Sequence, residues 1–327
     1  EGEPTAVWSY AGSSNEFPAH LATSPDEASL AMTGYFSGNI TFGTYTFDNE
    51  KPDDRDGFVV KVGVEDGAVA WARHFPSDAG TLPGGVAHDE DGNVCSVGQR
   101  CDLVDDGTGT TAEVCHGYVT LLSGDDGSTI WDVNYGPAVT TLTDVVLSSD
   151  ASTFYVVGST MSGTVDLGGA VGNVTTSEDA ILVALDAATY ATTWAATVSG
   201  GTAPSSGNLV ETLGTDIYVS CIGACSVATS TASSETAALQ GLYGGAVVKF
   251  DGTSGAPLWA ADVPGPQGMA TNADSVFVTA HASGTMSVGD ASFTSRGSFD
   301  QYIFRLNAQT GSGVWVLQNG GYGLEYV

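Results

Sequence analysis

Short apolar runs separated by turns of Asp, Gly, Ser and Thr recur along the chain. DGFVVKVGVEDGAVAW (56–71), GAVVKFDGTSGAPLW (245–259) and DQYIFRLNAQTGSGVW (300–315) each carry a β-branched or aromatic run, then a turn, then a tryptophan. Such runs are typical of strands, and the turns between them are typical of hairpins. TSPDEASLAM (23–32) resembles the start of a helix, but it aligns with the first pair of strands in the repeating pattern. The pattern predicts an all-β chain of short strands.

The strand pattern repeats with a period of about sixty residues, and every tryptophan lies on it. The spacings between them are 63, 60, 63, 65 and 56 residues. Further apolar runs, such as GNVCSVG (92–98) and TFYVVGST (153–160), raise the count to about four strands in each period. Four-stranded units repeated in this way are typical of a β-propeller. The tryptophans are Trp8, Trp71, Trp131, Trp194, Trp259 and Trp315.

This period predicts a single β-propeller domain over residues 1–327 with about six blades. Five repeats are complete, and a split sixth would close the ring because an open blade edge invites aggregation. Residues 316–327 are interpreted as the first strand of that closing blade, and residues 1–8 as its last strand. The complete repeats are predicted at 9–71, 72–131, 132–194, 195–259 and 260–315.

We expect the tryptophans to hold neighbouring blades together. An indole on the outer strand can lie against the turn of the next blade, with its N–H donating to a backbone carbonyl. The alternative for any one of them is stacking against a carbohydrate.

Two motifs resemble known propeller repeats. DAATYATTW (186–194) and NAQTGSGVW (307–315) resemble the tryptophan-docking repeat of quinoprotein-like propellers. SGNITFG (37–43), SGTVDLG (162–168) and SGTMSVG (283–289) resemble the secreted β-propeller repeat known as SBBP. The resemblance implies a propeller fold and gives little indication of activity, since propellers carry many functions.

Charge excludes two classes of partner. The chain has 38 acidic and 8 basic residues and a net charge of -30. Nucleic acid and anionic membrane both require basic surface, so neither is an expected partner. No apolar run approaches 18 residues, so no membrane span is expected. The first residues, EGEPTAVW, are interpreted as a mature N-terminus after signal removal or as a fragment.

Five cysteines predict an oxidising compartment with two disulfides and one free thiol. The favoured pairs are Cys101 with Cys115 and Cys221 with Cys225, which leaves Cys95 as a buried thiol within a strand. Pairing of Cys95 with Cys101 is the alternative, and a zinc site is the rival interpretation of the cluster. The sequons NIT at Asn39 and NVT at Asn173 fit secretion and are predicted glycosylation sites.

Carboxylate-dense loops suggest calcium, which is bound by six to eight oxygen ligands. The alternative is a set of ordinary hairpin turns, in which Asp and Gly are common. The candidate ligands lie in loops 48–56 and 102–109 and are Asp48, Asp53, Asp54, Asp102, Asp105 and Asp106.

We expect no catalytic residues and no cofactor other than calcium. The five histidines do not stand in a nucleophile motif and are expected in loops or hairpins. The sequence therefore predicts a non-enzymatic, secreted propeller that acts as a structural or adhesive module of an extracellular assembly. Its partners would be proteins, including copies of itself. A glycan- or protein-binding receptor module is the alternative, and a hydrolase or quinoprotein-related enzyme is less favoured.

Overall fold

The structure is a computed structural model that describes residues 11–12, 15–49, 51, 54–105, 107, 109–137, 140–199, 204–228, 242–288, 291–297 and 299–320. Three predicted site residues, Trp8, Asp53 and Asp106, lie outside these ranges. The chain divides into two compact units, Glu1–Pro137 and Ala138–Val327. Every regular element of the described ranges is a β-strand, and they contain no helix long and apolar enough to cross a membrane.

The strands of the first unit are, in chain order, β1 (Ala11–Gly12), β2 (Glu16–Thr23), β3 (Ser29–Phe36), β4 (Asn39–Phe42), β5 (Tyr45–Asp48), β6 (Asp56–Gly63), β7 (Val69–Phe75), β8 (Thr81–His88), β9 (Val94–Asp105), β10 (Thr111–Leu122) and β11 (Thr129–Pro137). Those of the second unit are β12 (Thr140–Leu147), β13 (Thr153–Thr160), β14 (Gly163–Asp166), β15 (Asn173–Thr176), β16 (Ala180–Asp186), β17 (Thr192–Ser199), β18 (Ser205–Leu213), β19 (Asp216–Ala228), β20 (Leu242–Tyr243), β21 (Ala246–Asp251), β22 (Pro257–Asp262), β23 (Pro266–Asn272), β24 (Ser275–Ala282), β25 (Thr285–Val288), β26 (Ala291–Thr294), β27 (Asp300–Asn307) and β28 (Gly313–Asn319).

Most of these strands form five antiparallel four-stranded meanders within the described ranges. We call them blades 1 to 5, and their strand orders are β2-β3-β6-β7, β8-β9-β10-β11, β12-β13-β16-β17, β18-β19-β21-β22 and β23-β24-β27-β28. The predicted all-β class, built from four-stranded β-propeller blades, is confirmed. The predicted sixth blade stays a prediction, since residues 1–10 and 321–327 lie outside the described ranges.

The blade boundaries fall a few residues later than the predicted repeats. Each of the five described tryptophans stands inside the fourth strand of its blade, so a repeat that ends at the tryptophan cuts that strand in two. At the end of the fifth repeat, residues 316–319 continue β28 beyond Trp315, whereas the sequence had suggested the first strand of a new blade. The cause is register, since β28 pairs with β27 along its whole length.

Every blade carries additional structure between its second and third strands. In blades 1, 3 and 5 this is a separate hairpin, formed by β4–β5, β14–β15 and β25–β26. The first strand of each hairpin lies within one of the three SBBP-like motifs, SGNITFG, SGTVDLG and SGTMSVG. In blade 2 the second and third strands themselves are longer, and in blade 4 the long β19 also pairs with β20.

In blades 1 to 4 the third strand has a continuous run that is buried on both faces, whereas β27 of blade 5 alternates. In β16 the six residues from Ala180 to Leu185 are all buried, and β21 has the same pattern over its first five residues. A strand with packing on both sides needs a continuous apolar run, not an alternating one. This explains why the runs DAILVAL and AVVKF lack the period of two that a strand with one solvated face would show.

The turn between the third and fourth strands is set by an Asp or Asn side chain. In blade 4, Asp251 Oδ1 accepts hydrogen bonds from the backbone N–H groups of Thr253 and Ser254. In blade 5, Asn307 accepts in the same way. Such Asx turns fix the tight reversal locally, and the turn closes with a residue of positive φ, such as Gly255 at 68°.

Candidate functional site

Three tryptophans dock on the following blade in the same manner. Their indole N–H donates to a backbone carbonyl in the turn between the third and fourth strands of that blade. The pairs are Trp71 with Gly124 (3.0 Å), Trp194 with Gly252 (3.2 Å) and Trp259 with Ala308 (3.2 Å).

A glycine of the same turn lies directly against each of these indoles. A Cβ atom on that glycine would stand 2.6 Å from the indole Cε3, so no larger residue fits without displacement. The glycine is the one found four residues before the next tryptophan in the sequence. The glycine and indole pairs are Gly127 with Trp71, Gly255 with Trp194, and Gly311 with Trp259.

Two further tryptophans are described, Trp131 and Trp315. Trp131 is half-buried on β11, opposite Leu121. Trp315 is 42% exposed, so the expected burial at a blade junction does not hold for this residue. Its ring centroid lies 6.1 Å from that of Phe277 on the same blade.

Each of the five described tryptophans ends a row of side chains that crosses strands two, three and four of its blade. Residues directly opposite each other on neighbouring strands share one face of the sheet, so the three side chains of a row are neighbours. We call these the junction rows. They are Ala31–Lys61–Trp71, Cys95–Leu121–Trp131, Tyr155–Ala184–Trp194, Tyr218–Lys249–Trp259 and Phe277–Arg305–Trp315.

The junction row of blade 3 borders a cavity of about 570 Å³, which we call the aromatic cavity. Tyr155 and Trp194 lie along it, with ring centroids 5.9 Å apart and planes inclined by 38°. The Tyr155 hydroxyl donates to the carbonyl of Gly252 (3.1 Å), which also accepts from Trp194. Most of the other lining residues are hydroxylic: Ser148, Ser149, Ser152, Thr153, Thr193, Thr215 and Thr253.

Asp150 places a carboxylate at the edge of the aromatic cavity. Its Oδ1 accepts from the hydroxyls of Ser148 (2.7 Å) and Ser152 (2.8 Å) and from the backbone N–H of Ser152 (3.2 Å). These hydrogen bonds lower the pKa of Asp150 below its usual value, with the bond from Ser148 as the largest cause. The group is therefore an ionised acceptor near neutral pH.

The first unit has a second cavity, of about 510 Å³, which we call the acidic cavity. It brings together Asp48 and Asp102, one from each of the two predicted calcium loops. Asp56 and Asp78 also line it. Lys51 Nζ lies 2.9 Å from the Asp78 carboxylate, and this hydrogen bond raises the lysine's pKa.

The predicted calcium ligands do not form one compact cluster in the described residues. Asp54 contributes backbone contacts, because its N–H donates to Lys51 and its carbonyl accepts from Asn49. Asp105 lies at the end of β9, where its carboxylate accepts from the N–H of Gly107. Of the described His, Cys, Asp and Glu side chains, only Cys101, Glu113 and Cys115 bring three ligand atoms within 4.8 Å of one another. Calcium binding stays a prediction.

That group of three is not a metal site, because its two sulfur atoms are bonded to each other. Cys101 and Cys115 stand opposite one another on β9 and β10 and form a disulfide. A second disulfide joins Cys221 and Cys225 on β19. These are the two favoured pairs of the sequence analysis. Cys95 is a buried thiol, and burial raises its pKa to about 12.

Sequence reasoning missed a pair between Asp56 and His74 in the acidic cavity. The His74 Nε2 lies 2.7 Å from Asp56 Oδ2, and the Asp56 side chain is only 6% exposed. Asp300 in blade 5 stands at the same place and accepts from Gln318, the counterpart of His74. The available signal was an Asp at the start of the third strand. All five histidines lie on strands of antiparallel pairs, so only the loop part of that expectation was wrong.

Both sequon asparagines lie on the separate hairpins. Asn39 stands on β4 opposite Asp48, and Asn173 stands on β15 opposite Asp166. Each is exposed, and so is the Thr two residues further along the same strand. The acceptor side chains are accessible, and glycosylation itself stays a prediction.

Comparison with known proteins adds similarity at the level of solved structures. No family model and no curated protein sequence matches the chain. The Cps50 (Swd1) β-propeller domain of Myceliophteria thermophila is 10% identical, with a TM-score of 0.46 over 96% of this chain and 89% of that one. The Dos1 propeller is 11% identical, with a TM-score of 0.45 over 96% and 74%. The quinohemoprotein alcohol dehydrogenase of Comamonas testosteroni is 10% identical, with a TM-score of 0.41 over 95% and 68%. At these scores the likenesses carry no argument about function.

Proposed function

We propose that this chain is a non-enzymatic, secreted propeller of the SBBP-like, tryptophan-docking type. It acts as a structural or adhesive module of an extracellular assembly, and its partners are proteins, including copies of itself. The observation that carries the proposal is the additional structure between the second and third strands of every described blade. A blade needs only a short turn at that place, so these residues are available for contact with a partner.

The three separate hairpins share an outward face built from paired threonines. Their inward residues, such as Ile40 and Phe42 in the first hairpin, are buried, which anchors the hairpin on its blade. A Thr pair offers hydroxyls on a β-branched, rotamer-restricted side chain, so ordering it at an interface costs little entropy. The exposed pairs are Thr41 with Thr46, Thr164 with Thr175, and Thr285 with Thr294.

The disulfides reinforce the same place in the two other blades. The Cys101–Cys115 bond ties the extended part of β9 to β10, and the Cys221–Cys225 bond lies where β19 extends beyond its blade. Both fit an oxidising compartment.

The net charge of -30 means that copies of the chain repel each other unless ions intervene. We therefore expect association to require salt or a divalent cation. Calcium at the acidic cavity, with Asp48 and Asp102 as ligands, is the form of bridging that the predicted loops favour.

Light scattering on the purified chain tests the proposal. Particle mass should rise with protein concentration in calcium and fall on chelation, while the circular dichroism spectrum stays that of folded strands. The double substitution Thr164→Arg and Thr175→Arg on the outward face of one hairpin should reduce association. Thr129→Arg, an exposed threonine outside the hairpins, is the matched control. A chain that stays monomeric at high concentration in calcium and salt contradicts the proposal.

The enzymatic alternative has one candidate pair, Asp56 and His74. The equivalent pair of Asp300 and Gln318 in blade 5 has an amide in place of the imidazole and cannot perform acid–base catalysis. We therefore assign the Asp56–His74 pair the structural task that the amide performs in blade 5.

A further inference from the structure

The junction rows of blades 3 and 4 are nearly the same and differ in a pair of residues. In both, a Tyr hydroxyl and a Trp indole donate to one carbonyl of the next blade. For blade 4 the donors are Tyr218 and Trp259, and the acceptor is Ala308. Between these two aromatic residues stands Lys249 in blade 4 and Ala184 in blade 3.

In blade 4 the lysine occupies the space beside the aromatic rings. Lys249 is 3% exposed, its Nζ lies 5.7 Å from the centroid of the Tyr218 ring, and it pairs with Asp216 at 2.7 Å. Register places Thr153 of blade 3 at the position of Asp216. Blade 3 therefore lacks both members of the ion pair, and its junction is bordered by the aromatic cavity.

We propose that the aromatic cavity binds a neutral carbohydrate. The half-buried Trp194 supplies an aromatic wall against which the C–H face of a sugar ring can pack, and the buried Tyr155 ring supports it from behind. The hydroxyls of the rim and the Asp150 carboxylate supply donors and acceptors for sugar hydroxyls. All hydrogen bonds that the structure describes for Asp150 end on Oδ1, which leaves Oδ2 to accept from the ligand.

The size of the site indicates more than one sugar ring. The aromatic cavity falls within the usual range of ligand pockets, about 300–1,000 Å³. Trp194 and Thr193 also line a second cavity, of about 420 Å³, that extends along the β14–β15 hairpin. Since these two residues border both spaces, an oligosaccharide can lie across them with a ring on either side of Trp194.

Blade 3 has no counterpart of Lys249 or of Asp216, and this favours a neutral ligand over a cationic one. Where this chain does hold an ammonium between the two aromatics, it supplies a carboxylate on the second strand to pair with it. Blade 3 has the hydroxyl of Thr153 at that place, and a hydroxyl serves a sugar better than it serves a buried charge.

The aromatic cavity can be filled by introducing the lysine and aspartate of blade 4 at the equivalent positions of blade 3. The double substitution Ala184→Lys and Thr153→Asp should place a paired ammonium where the ligand would sit, while Trp194 keeps its bond to Gly252. The probes are cellohexaose, xylohexaose, mannohexaose and chitohexaose, each titrated by calorimetry. We expect the native chain to bind at least one of them, and the double variant to bind it about tenfold or more weakly. Removal of the blade 4 pair by Lys249→Met with Asp216→Asn should leave that affinity unchanged.

A second variant covers the case in which the double variant fails to fold. Asp150→Ala changes an exposed turn, so it should keep the fold and still weaken binding several-fold. The proposal is overturned if none of the four probes binds at about 10 mM, if a folded double variant binds like the native chain, or, where the double variant does not fold, if Asp150→Ala binds like the native chain. Preferential binding of tetramethylammonium over all four sugars also overturns it. The inference goes beyond the assembly function, and neither result decides the other, because the light-scattering experiment contains no sugar.

Discussion

The Trp71 junction in the first unit and the Trp194 junction in the second contain the same type of hydrogen bond, from the indole N–H to a backbone carbonyl of the next blade. They differ in how completely the neighbouring side chains cover the indole. Trp71 is 1% exposed, and Lys61 beside it donates to the carbonyls of Gly92 (3.2 Å) and Gly124 (3.0 Å). Trp194 is half-buried, and the Tyr155 hydroxyl makes the second bond to its acceptor carbonyl. The aromatic cavity lies beside it.

The difference arises because the large and the small side chain of the junction row stand on opposite strands in the two blades. Blade 1 has a small residue on its second strand and a long one on its third, Ala31 and Lys61. Blade 3 reverses the order, with Tyr155 and then Ala184. Each arrangement satisfies the shared carbonyl twice, so the fold tolerates both. Only the first spans the two turns of the next blade and closes the junction. The docking tryptophan thus provides stability in both, and the row beside it determines whether a cavity forms.

The largest expected effect is the loss of the closed tryptophan. Trp71→Ala should cost about 3–5 kcal/mol of unfolding free energy, because it removes a buried indole and leaves a cavity. Trp194→Ala should cost about half as much, since part of that ring is already accessible. Trp315→Ala, at the exposed position, should cost about 1 kcal/mol or less. Urea denaturation of the three variants measures the order, and equal costs would remove the distinction between closed and open junctions.

The glycine beneath each indole gives a finer test. Gly127→Ala should cost about 2–3 kcal/mol, from its positive φ and from the 2.6 Å approach of its Cβ to Trp71. Gly255→Ala makes the same approach to Trp194, which can move toward the aromatic cavity, so about 1 kcal/mol less is expected. Gly214→Ala is the control, because its φ is also positive and a Cβ there meets nothing within 4 Å. Thermal unfolding resolves the three, and a Gly127 variant no worse than the Gly214 control would contradict the packing argument.

The closing lysine is the next target. Lys61→Met keeps the length of the side chain and removes both of its carbonyl bonds, so about 1–2 kcal/mol should be lost. Trp71 should also become accessible, with more acrylamide quenching of tryptophan fluorescence than in the native chain. Lys51→Met, which removes the exposed pair with Asp78, is the control and should leave stability nearly unchanged. An unchanged quenching constant would show that the lysine does not close the junction.

The fold could be predicted from the sequence because the strongest sequence patterns are local and repeated. The strand runs, the Asx turns and the tryptophan period all arise within one blade, so the all-β, four-stranded unit could be predicted. Even the contact of Trp71 with a turn of the next blade could be predicted, because the tryptophan and the turn recur together in each repeat. The blade boundaries were less visible, because Trp315 looks like the end of a unit and stands inside a strand.

The cavities could not be predicted, since they depend on which residues stand opposite one another. Ala184 is one alanine among many until register places it between Tyr155 and Trp194. Likewise, Asp48 and Asp102 are 54 residues apart and meet only because two blades bring their loops to one cavity. Sequence composition pointed to acidic loops as calcium sites, but it cannot show which carboxylates come together.

The smallest expected effect is a dependence of stability on pH that comes from blade 4 and has no counterpart at the Trp71 junction, where Ala22 stands at the equivalent position. Glu211 on β18 stands opposite Tyr218, on the face of blade 4 that docks on blade 5, whereas blade 2 has Ala87 at this position. Burial, together with the nearby Asp144 carboxylate, raises the pKa of Glu211 to about 7. The folded state therefore holds this proton more tightly than the unfolded state, whose pKa is near the ordinary value of 4.5. The stability that protonation contributes is complete below about pH 4.5 and is lost as the pH rises through 7.

Glu211→Gln should imitate the protonated form at every pH. The variant should match the native chain near pH 4.5 and exceed it by about 1 kcal/mol at pH 8, a figure reduced for the group's partial exposure. Ala87→Gln in blade 2 is the control, because any difference it causes should be independent of pH in this range. Urea denaturation at pH 4.5, 6, 7 and 8 measures both variants against the native chain. A Glu211→Gln difference that stays flat across these four values would show that the carboxyl group does not titrate with a raised pKa.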